Sequence, residues 1–323
     1  MYPIIYYVLA LLLCSVKEEI RPATEQIYLA DPTIFQEGGK YYLYGTDGFN
    51  ADSGFNAYVS EDMQHWGKSL TGNQRALAKG ASFGTKGFWA PQVFRHHNQY
   101  YMAYTANEHI AMACSDNPAG PYKQTQLKAL EAPVKQIDPF VFKDDDGKLY
   151  LYHVRLQNGN RIFVAELKND LSGILPNTLR ECISAVNDPQ PWENMQQVKW
   201  TVTEGPTVIK RGNLYYMLYS ANDFRNPDYA VGYAVADNPY GPWKKYEGNP
   251  IISKKVTGAN GSGHGDIIMN KAGDYYYVFH THFSNEKVAP RKTAMIKIRF
   301  TDNGSNESME ADTLSFEYLK YGQ

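Results

Sequence analysis

The sequence predicts an all-β protein built as one domain, a five-bladed β-propeller, and three observations predict it. A short apolar strand, a polar or Gly-containing turn and an aromatic strand recur five times in order. Aromatic residues make up 14% of the chain, and 26 residues are Tyr, a side chain that suits sheet surfaces and also sugar faces. No long amphipathic run of helical period competes with this pattern. The copies begin at residues 31, 90, 138, 205 and 265, spacings that suit blades of about four strands. Radial closure leaves few free sheet edges, so 323 residues need no second domain. The competing architecture, an open two-sheet β fold with coincidentally similar hairpins, does not explain an ordered repeat.

Residues 1–20 read as a leader, and residues 24–323 as the propeller. Ile4 to Leu13 is a ten-residue apolar run, about half of what a bilayer span needs. It reads as the apolar core of an export signal. Cys14 follows, then Lys17-Glu18-Glu19, as in a bacterial lipoprotein signal with a lipid anchor through Cys14. The run departs from that pattern in two ways: no Lys or Arg precedes it, and Leu13 stands where a small residue is expected. The expected location is periplasmic, extracellular or outer-membrane. No other segment resembles a membrane span.

The first blade opens with Asp31-Pro32-Thr33-Ile34-Phe35 and turns into Lys40-Tyr41-Tyr42-Leu43-Tyr44. The second runs from Ala90-Pro91-Gln92-Val93-Phe94 into Gln99 to Tyr104, and the third from Asp138-Pro139-Phe140-Val141-Phe142 into Lys148 to Tyr152. The fourth runs from Gly205-Pro206-Thr207-Val208-Ile209 into Asn213 to Tyr219, and the fifth from Gly265-Asp266-Ile267-Ile268-Met269 into Asp274 to Phe279. A second echo has the same phase: Ser115-Asp116-Asn117-Pro118-Ala119-Gly120-Pro121-Tyr122 returns as Ala236-Asp237-Asn238-Pro239-Tyr240-Gly241-Pro242-Trp243, each after a third strand. The insert Ala185 to Gln197 reads as a loop between blades, with Trp192 either packing or forming a rim. Asp144-Asp145-Asp146-Gly147 reads as a solvated hairpin turn, because it lacks the later acidic positions of a calcium loop.

Composition narrows the function. A net charge of -2 gives no electrostatic reason to expect nucleic acid. Three Cys make no disulfide framework, and no CxxC pair suggests zinc. The informative feature is acidic. First strands line a propeller's channel, and three of them start beside a carboxylate: Asp31, Asp138 and Glu204. Converging carboxylates raise at least one pKa, a cost that metal binding or acid/base catalysis explains. Glycosidic bond hydrolysis uses such a set: a protonated acid for the leaving oxygen and an ionised carboxylate for water, about 6.5–9.5 Å apart when the anomeric centre inverts. A third carboxylate can keep the acid protonated and in place.

These motifs together resemble glycoside hydrolase family 43, five-bladed enzymes acting on arabinose- and xylose-containing polysaccharides, from about Tyr28 to the carboxyl terminus. The resemblance implies that Asp31 is the general base, Glu204 the general acid and Asp138 the residue that raises and orients the acid. It implies inversion by a single displacement. Phe88-Trp89-Ala90-Pro91 resembles the segment whose aromatic helps form the sugar pocket, so Trp89 is a substrate-binding candidate. Arg291 resembles a late Arg that reaches the pocket. His264 in Gly263-His264-Gly265-Asp266 resembles a channel His that contacts structural calcium, largely through water. No organic cofactor is implied. Phe49, Asn50, Asn222, Asp223 and Phe224 follow inner hairpins and are candidates to line or gate the pocket, as are the insertions Thr46 to Gly84 and Ala185 to Thr201 to wall it. His280 and His282 end the last aromatic strand and receive no catalytic role.

The expected partner is a pentose-containing oligosaccharide or polysaccharide. The reading favoured is an exo-acting α-L-arabinofuranosidase, tilted that way because no large carboxyl-terminal sandwich follows the propeller. A β-D-xylosidase is the close alternative, and an endo-arabinanase would need an open groove. Fructan-cleaving propellers also carry three acids, but their Asn-Asp-Pro-Asn motif is replaced here by Ala30-Asp31-Pro32-Thr33. A non-catalytic surface sugar-binding propeller is the alternative of another class.

Overall fold

A computed structural model describes residues 24–69, 74–302 and 307–322. The leader and the Cys14 anchor lie outside the described residues. The chain forms five antiparallel sheets ordered around one channel. Their innermost strands are Leu29–Glu37, Trp89–His96, Gln136–Lys143, Thr203–Arg211 and Gly263–Met269. Their second strands are Lys40–Asp47, Gln99–Ala106, Leu149–Leu156, Leu214–Ala221 and Tyr275–Thr281.

The aromatic second strands are buried on both faces, which is why they read as nearly unbroken apolar runs. Side chains alternate along a strand, so neighbours serve different blades. Tyr215, Met217 and Tyr219 pack with Tyr150 and Tyr152 of the third blade. Tyr216 and Leu218 point the other way, with Tyr277 and Phe279 of the fifth. Five such clusters occur, one between each pair of adjacent blades. Each fully buried side chain of this size contributes about 1.5–3 kcal/mol. The Tyr hydroxyls also work: Tyr152 donates to the Pro239 carbonyl at 2.7 Å, and Tyr44 reaches the Pro118 carbonyl. The two Asn-Pro echoes are thus acceptors for a tyrosine of the preceding blade.

The ring is closed by two short strands. Thr24–Gln26 pairs antiparallel with Lys320–Gly322. The Thr293 hydroxyl sits between the amide of Leu29 at 2.9 Å and its carbonyl at 3.0 Å.

Every innermost strand carries a register break near its start, and at each break stands a residue of positive φ: Asp31 (48°), Ala90 (44°), Asp138 (54°), Gly205 (60°) and His264 (44°). Non-glycine residues rarely adopt this conformation, and they do so where surrounding structure over-determines it. It also corrects the phase of the fifth copy: Gly205 is the equivalent of Asp31 and Asp138, with Glu204 one position ahead, and His264 rather than Gly265 is the fifth equivalent.

A break removes amides from the ladder, and a buried amide needs an acceptor. The preceding blade supplies it. Ala90 N donates to Thr46 Oγ1 (3.0 Å), Asp138 N to Thr105 Oγ1 (3.0 Å), His264 N to Ser220 Oγ (2.8 Å) and Asp31 N to His280 Nδ1 (3.1 Å). The third blade has Val154 at this position, paired with Ile137. The Gly205 amide donates to Asp138 Oδ2 instead, at 3.2 Å.

The insert folds onto the fourth blade. A 3-10 turn, Pro191–Asn194, buries Trp192 against Tyr219. Its neighbour Glu193 is fully buried and accepts from Lys245 Nζ (2.8 Å) and the Tyr219 hydroxyl (2.7 Å). Trp192 is therefore a packing residue. The triple-Asp turn meets Lys210, which bonds Asp144 at 2.7 Å and Asp145 at 2.8 Å.

Candidate active site

The strained strand starts bring Asp31, Asp138, Glu204 and His264 to one pocket of about 480 Å3, with Trp89, Phe224 and Arg291. All three acids are buried. Their surroundings drive them apart in charge.

Asp31 has the only cation in direct contact with an acid of this trio among the described residues. Arg291 Nη1 donates to Oδ1 at 2.9 Å, and Thr46 Oγ1 donates to Oδ2 at 2.6 Å. Burial opposes charge on Asp31, but Arg291, then His264 and His280, outweigh it and hold the carboxyl well below the usual carboxylate range. Burial keeps both imidazoles weakly basic, lowering His264 and lowering His280 further with the help of Arg291. His264 Nδ1 lies 3.4 Å from Asp31 and 3.8 Å from Asp138.

Glu204 is the opposite case. Burial first, then the charges of Asp31 and Asp223, push it up to about 7. The Tyr229 hydroxyl on Oε1 (2.9 Å) and the Asn160 amide on Oε2 (3.0 Å) pull the other way. Asp138 is also driven up, by burial and by the charges of Glu204 and Asp31, while the Gly205 amide favours its ionised form. Asp138 and Glu204 can therefore hold a proton at a pH where Asp31 cannot.

Among the other residues expected at the site, the structure separates two groups. Trp89 lines the pocket and has Gly87 against its indole, where a Cβ would come within 3.0 Å. Phe224 also lines it, with the Arg291 guanidinium 4.6 Å from its ring centroid. His282 secures this loop through the Phe224 carbonyl, at 2.8 Å. Phe49 and Asn222 are corrections. Phe49 lies in a separate groove with Tyr28, Asp47, Arg75 and Tyr321, because the Asp47 carboxylate caps its amide and turns the chain away. Asn222 is buried and ties Met195 N, Trp192 O and Asp228 O together, so its polar atoms are already used. Of the two expected walls, residues 185–201 contribute Trp200, and the described residues of 46–84 contribute none of the lining.

Asn160, Trp200, Arg225 and Tyr229 were not legible as site residues. They sit on third strands or loops, outside the repeated hairpin. The nearest signal was the Asn158-Gly159 turn ahead of Asn160 and the Tyr229 ahead of a small-residue strand.

Calcium takes six to eight oxygen ligands. Among the described residues no group of three or more acids, imidazoles or thiols is arranged to hold a metal. The carboxylates beside His264 are engaged, Asp31 by Arg291 and Thr46 and Asp138 by Gly205. Asp266 is engaged too, accepting from Thr33, Thr207 and the amides of Ile34 and Ile267.

One cation-held carboxylate facing two proton-holding carboxyls in a propeller channel is the apparatus of a glycosidase. The profile of Glycosyl hydrolases family 43 matches residues 22–305, and the chain belongs to that family. A Bacteroides thetaiotaomicron structure described as an endo-1,4-beta-xylanase is 37% identical with a TM-score of 0.84, over 94% of this chain and 100% of its own. A beta-D-galactofuranosidase of Aspergillus niger is 24% identical over 89% of this chain and 86% of its own length. A beta-xylosidase of Xylanibacter ruminicola is 27% identical over 78% of this chain and 87% of its own.

Proposed function

We propose an inverting glycosidase that removes a terminal pentose from xylan- or arabinan-type chains, with β-D-xylose as the favoured sugar. The opposed charge states of Asp31 and Glu204 carry the chemical reading. Xylan- and xylose-directed names among the relatives support the sugar. They displace the arabinofuranose preference read from sequence. A furanoside, α-L-arabinofuranose, is the second reading, supported by the galactofuranosidase relative. The pocket of about 480 Å3 suits one or two rings and supports exo action.

The proposed step is a single displacement. Asp31 accepts a proton from water as the water oxygen bonds to the anomeric carbon. The bond from that carbon to the glycosidic oxygen breaks, and Glu204 gives its proton to that oxygen. Burial and the charge of Asp31 keep the proton on Glu204 before the step, and Asp138 stands beside it, fixed by the Gly205 amide. Arg291 keeps Asp31 ionised, and Trp89 offers an apolar face to the sugar in the cleaved position. Solvent then returns a proton to Glu204 and takes one from Asp31. Export through the 1–20 leader, with or without anchoring at Cys14, would place the enzyme where polysaccharide is found.

Aryl β-D-xyloside and aryl α-L-arabinofuranoside, assayed side by side with wild type and Glu204→Ala, test this reading. The xyloside is expected to have the higher kcat/KM, with a large loss in the variant. Equal turnover by the variant would remove Glu204 as the acid. A strong preference for the arabinofuranoside would install the second reading.

A further inference from the structure

Trp200 is 51% exposed, yet it is not loose. Its Nε1 donates to Asn160 Oδ1 at 2.9 Å, and Asn160 Nδ2 donates to Glu204 Oε2 at 3.0 Å. One side-chain amide therefore joins an exposed indole to the buried acid. Asn160 is itself moored to the segment that joins Trp200 to Glu204: its backbone amide donates to Thr201 O at 2.9 Å, and Thr203 Oγ1 donates to its carbonyl at 3.0 Å. Gly159 makes that approach possible. Its φ is 108°, and a Cβ there would stand 3.0 Å from Thr201 O.

The other pocket tryptophan, Trp89, has Gly87 against its ring, and Trp66 and Trp192 are buried. Trp200 lines the pocket with half its surface free. An indole held by a hydrogen bond rather than by burial keeps a flat apolar face available. The chemistry says what reaches it. A general acid meets the oxygen of the departing group, so the rest of that group continues past Glu204, to which Trp200 is joined through Asn160. The C–H face of a pyranose ring matches an aromatic plane.

We propose that Trp200 is the stacking platform for the leaving sugar, the ring directly beyond the scissile bond, and that it makes the enzyme prefer a saccharide leaving group to a small one. This rests on Glu204 being the acid. The test compares xylobiose with β-D-xylosyl fluoride, whose leaving group has no ring to stack. Trp200→Ala is expected to lower kcat/KM on xylobiose about tenfold or more, mainly through KM, and to leave the fluoride within about twofold. Trp200→Phe, which keeps a ring and loses the N–H, is expected to retain most of the xylobiose activity. Full fluoride activity also reports an intact fold. Equal loss on both substrates would overturn the proposal, because Trp200 would then serve the cleaved sugar and not the leaving one. A Trp200→Phe loss on xylobiose as large as that of Trp200→Ala would overturn it too, because Trp200 would then act on Glu204 through Asn160. Unchanged activity on xylobiose would overturn it as well. Wild-type enzyme silent on both substrates would instead sink the β-D-xylose reading on which it rests.

Discussion

Asp31 and Glu204 carry one formal charge type and opposite tasks, and single neighbours account for the difference. The Arg291 guanidinium lies on one. The other accepts from the neutral donors Tyr229 and Asn160. The active form has Asp31 ionised and Glu204 protonated. Its basic limb in kcat/KM against pH should therefore fall near the acid's pKa of about 7. Asn160→Ala removes a donor that favours the ionised form of Glu204, so the acid holds its proton to higher pH. A pH–rate profile should show the basic limb moving up by about one pH unit. Arg291→Gln acts on the other limb. Without the cation, burial raises Asp31, the base becomes protonated at higher pH, and the acid limb moves up. An unmoved acid limb would mean that Arg291 does not set the charge of Asp31.

At the scale of the element, the register break does two jobs: it aims a side chain into the channel and leaves an amide for the preceding blade to capture. Thr46 serves both jobs at once, donating to Asp31 and accepting from Ala90. Thr46→Val leaves a buried amide unpaired, and chemical denaturation should read a loss of about 1–3 kcal/mol. Glu193→Ala strands the buried Lys245 ammonium, for which an expected loss is about 3–5 kcal/mol by the same measurement. The sequence carried the innermost hairpins plainly, since strand-turn-strand periodicity and Pro after the acid are local features. It also brought Asp31, Asp138 and Glu204 together correctly. It did not reveal that His264, and not Gly265, is the fifth equivalent, because the fifth copy has no Pro to align on and its positive-φ residue shows only in the structure. Asn160 and Tyr229 were hidden for another reason. Their partner is reached across a blade, and no local pattern encodes that distance in sequence.

The whole molecule is a ring whose five apolar seams are each shared by two blades. Closure depends on the pairing of Thr24–Gln26 with Lys320–Gly322. Truncation ahead of Lys320 should lower Tm while leaving kcat/KM near wild type at low temperature, because none of residues 320–322 lines the pocket of the acids. The ring also sets the stereochemistry proposed for the reaction: Asp31 comes from the first blade and Glu204 from the fourth, so base and acid approach the anomeric carbon from different blades. Proton NMR of the first sugar released during hydrolysis tests this most directly. The inverted anomer should appear first and the retained anomer only later, by mutarotation. Initial release of the retained anomer would contradict the single displacement by Asp31-activated water.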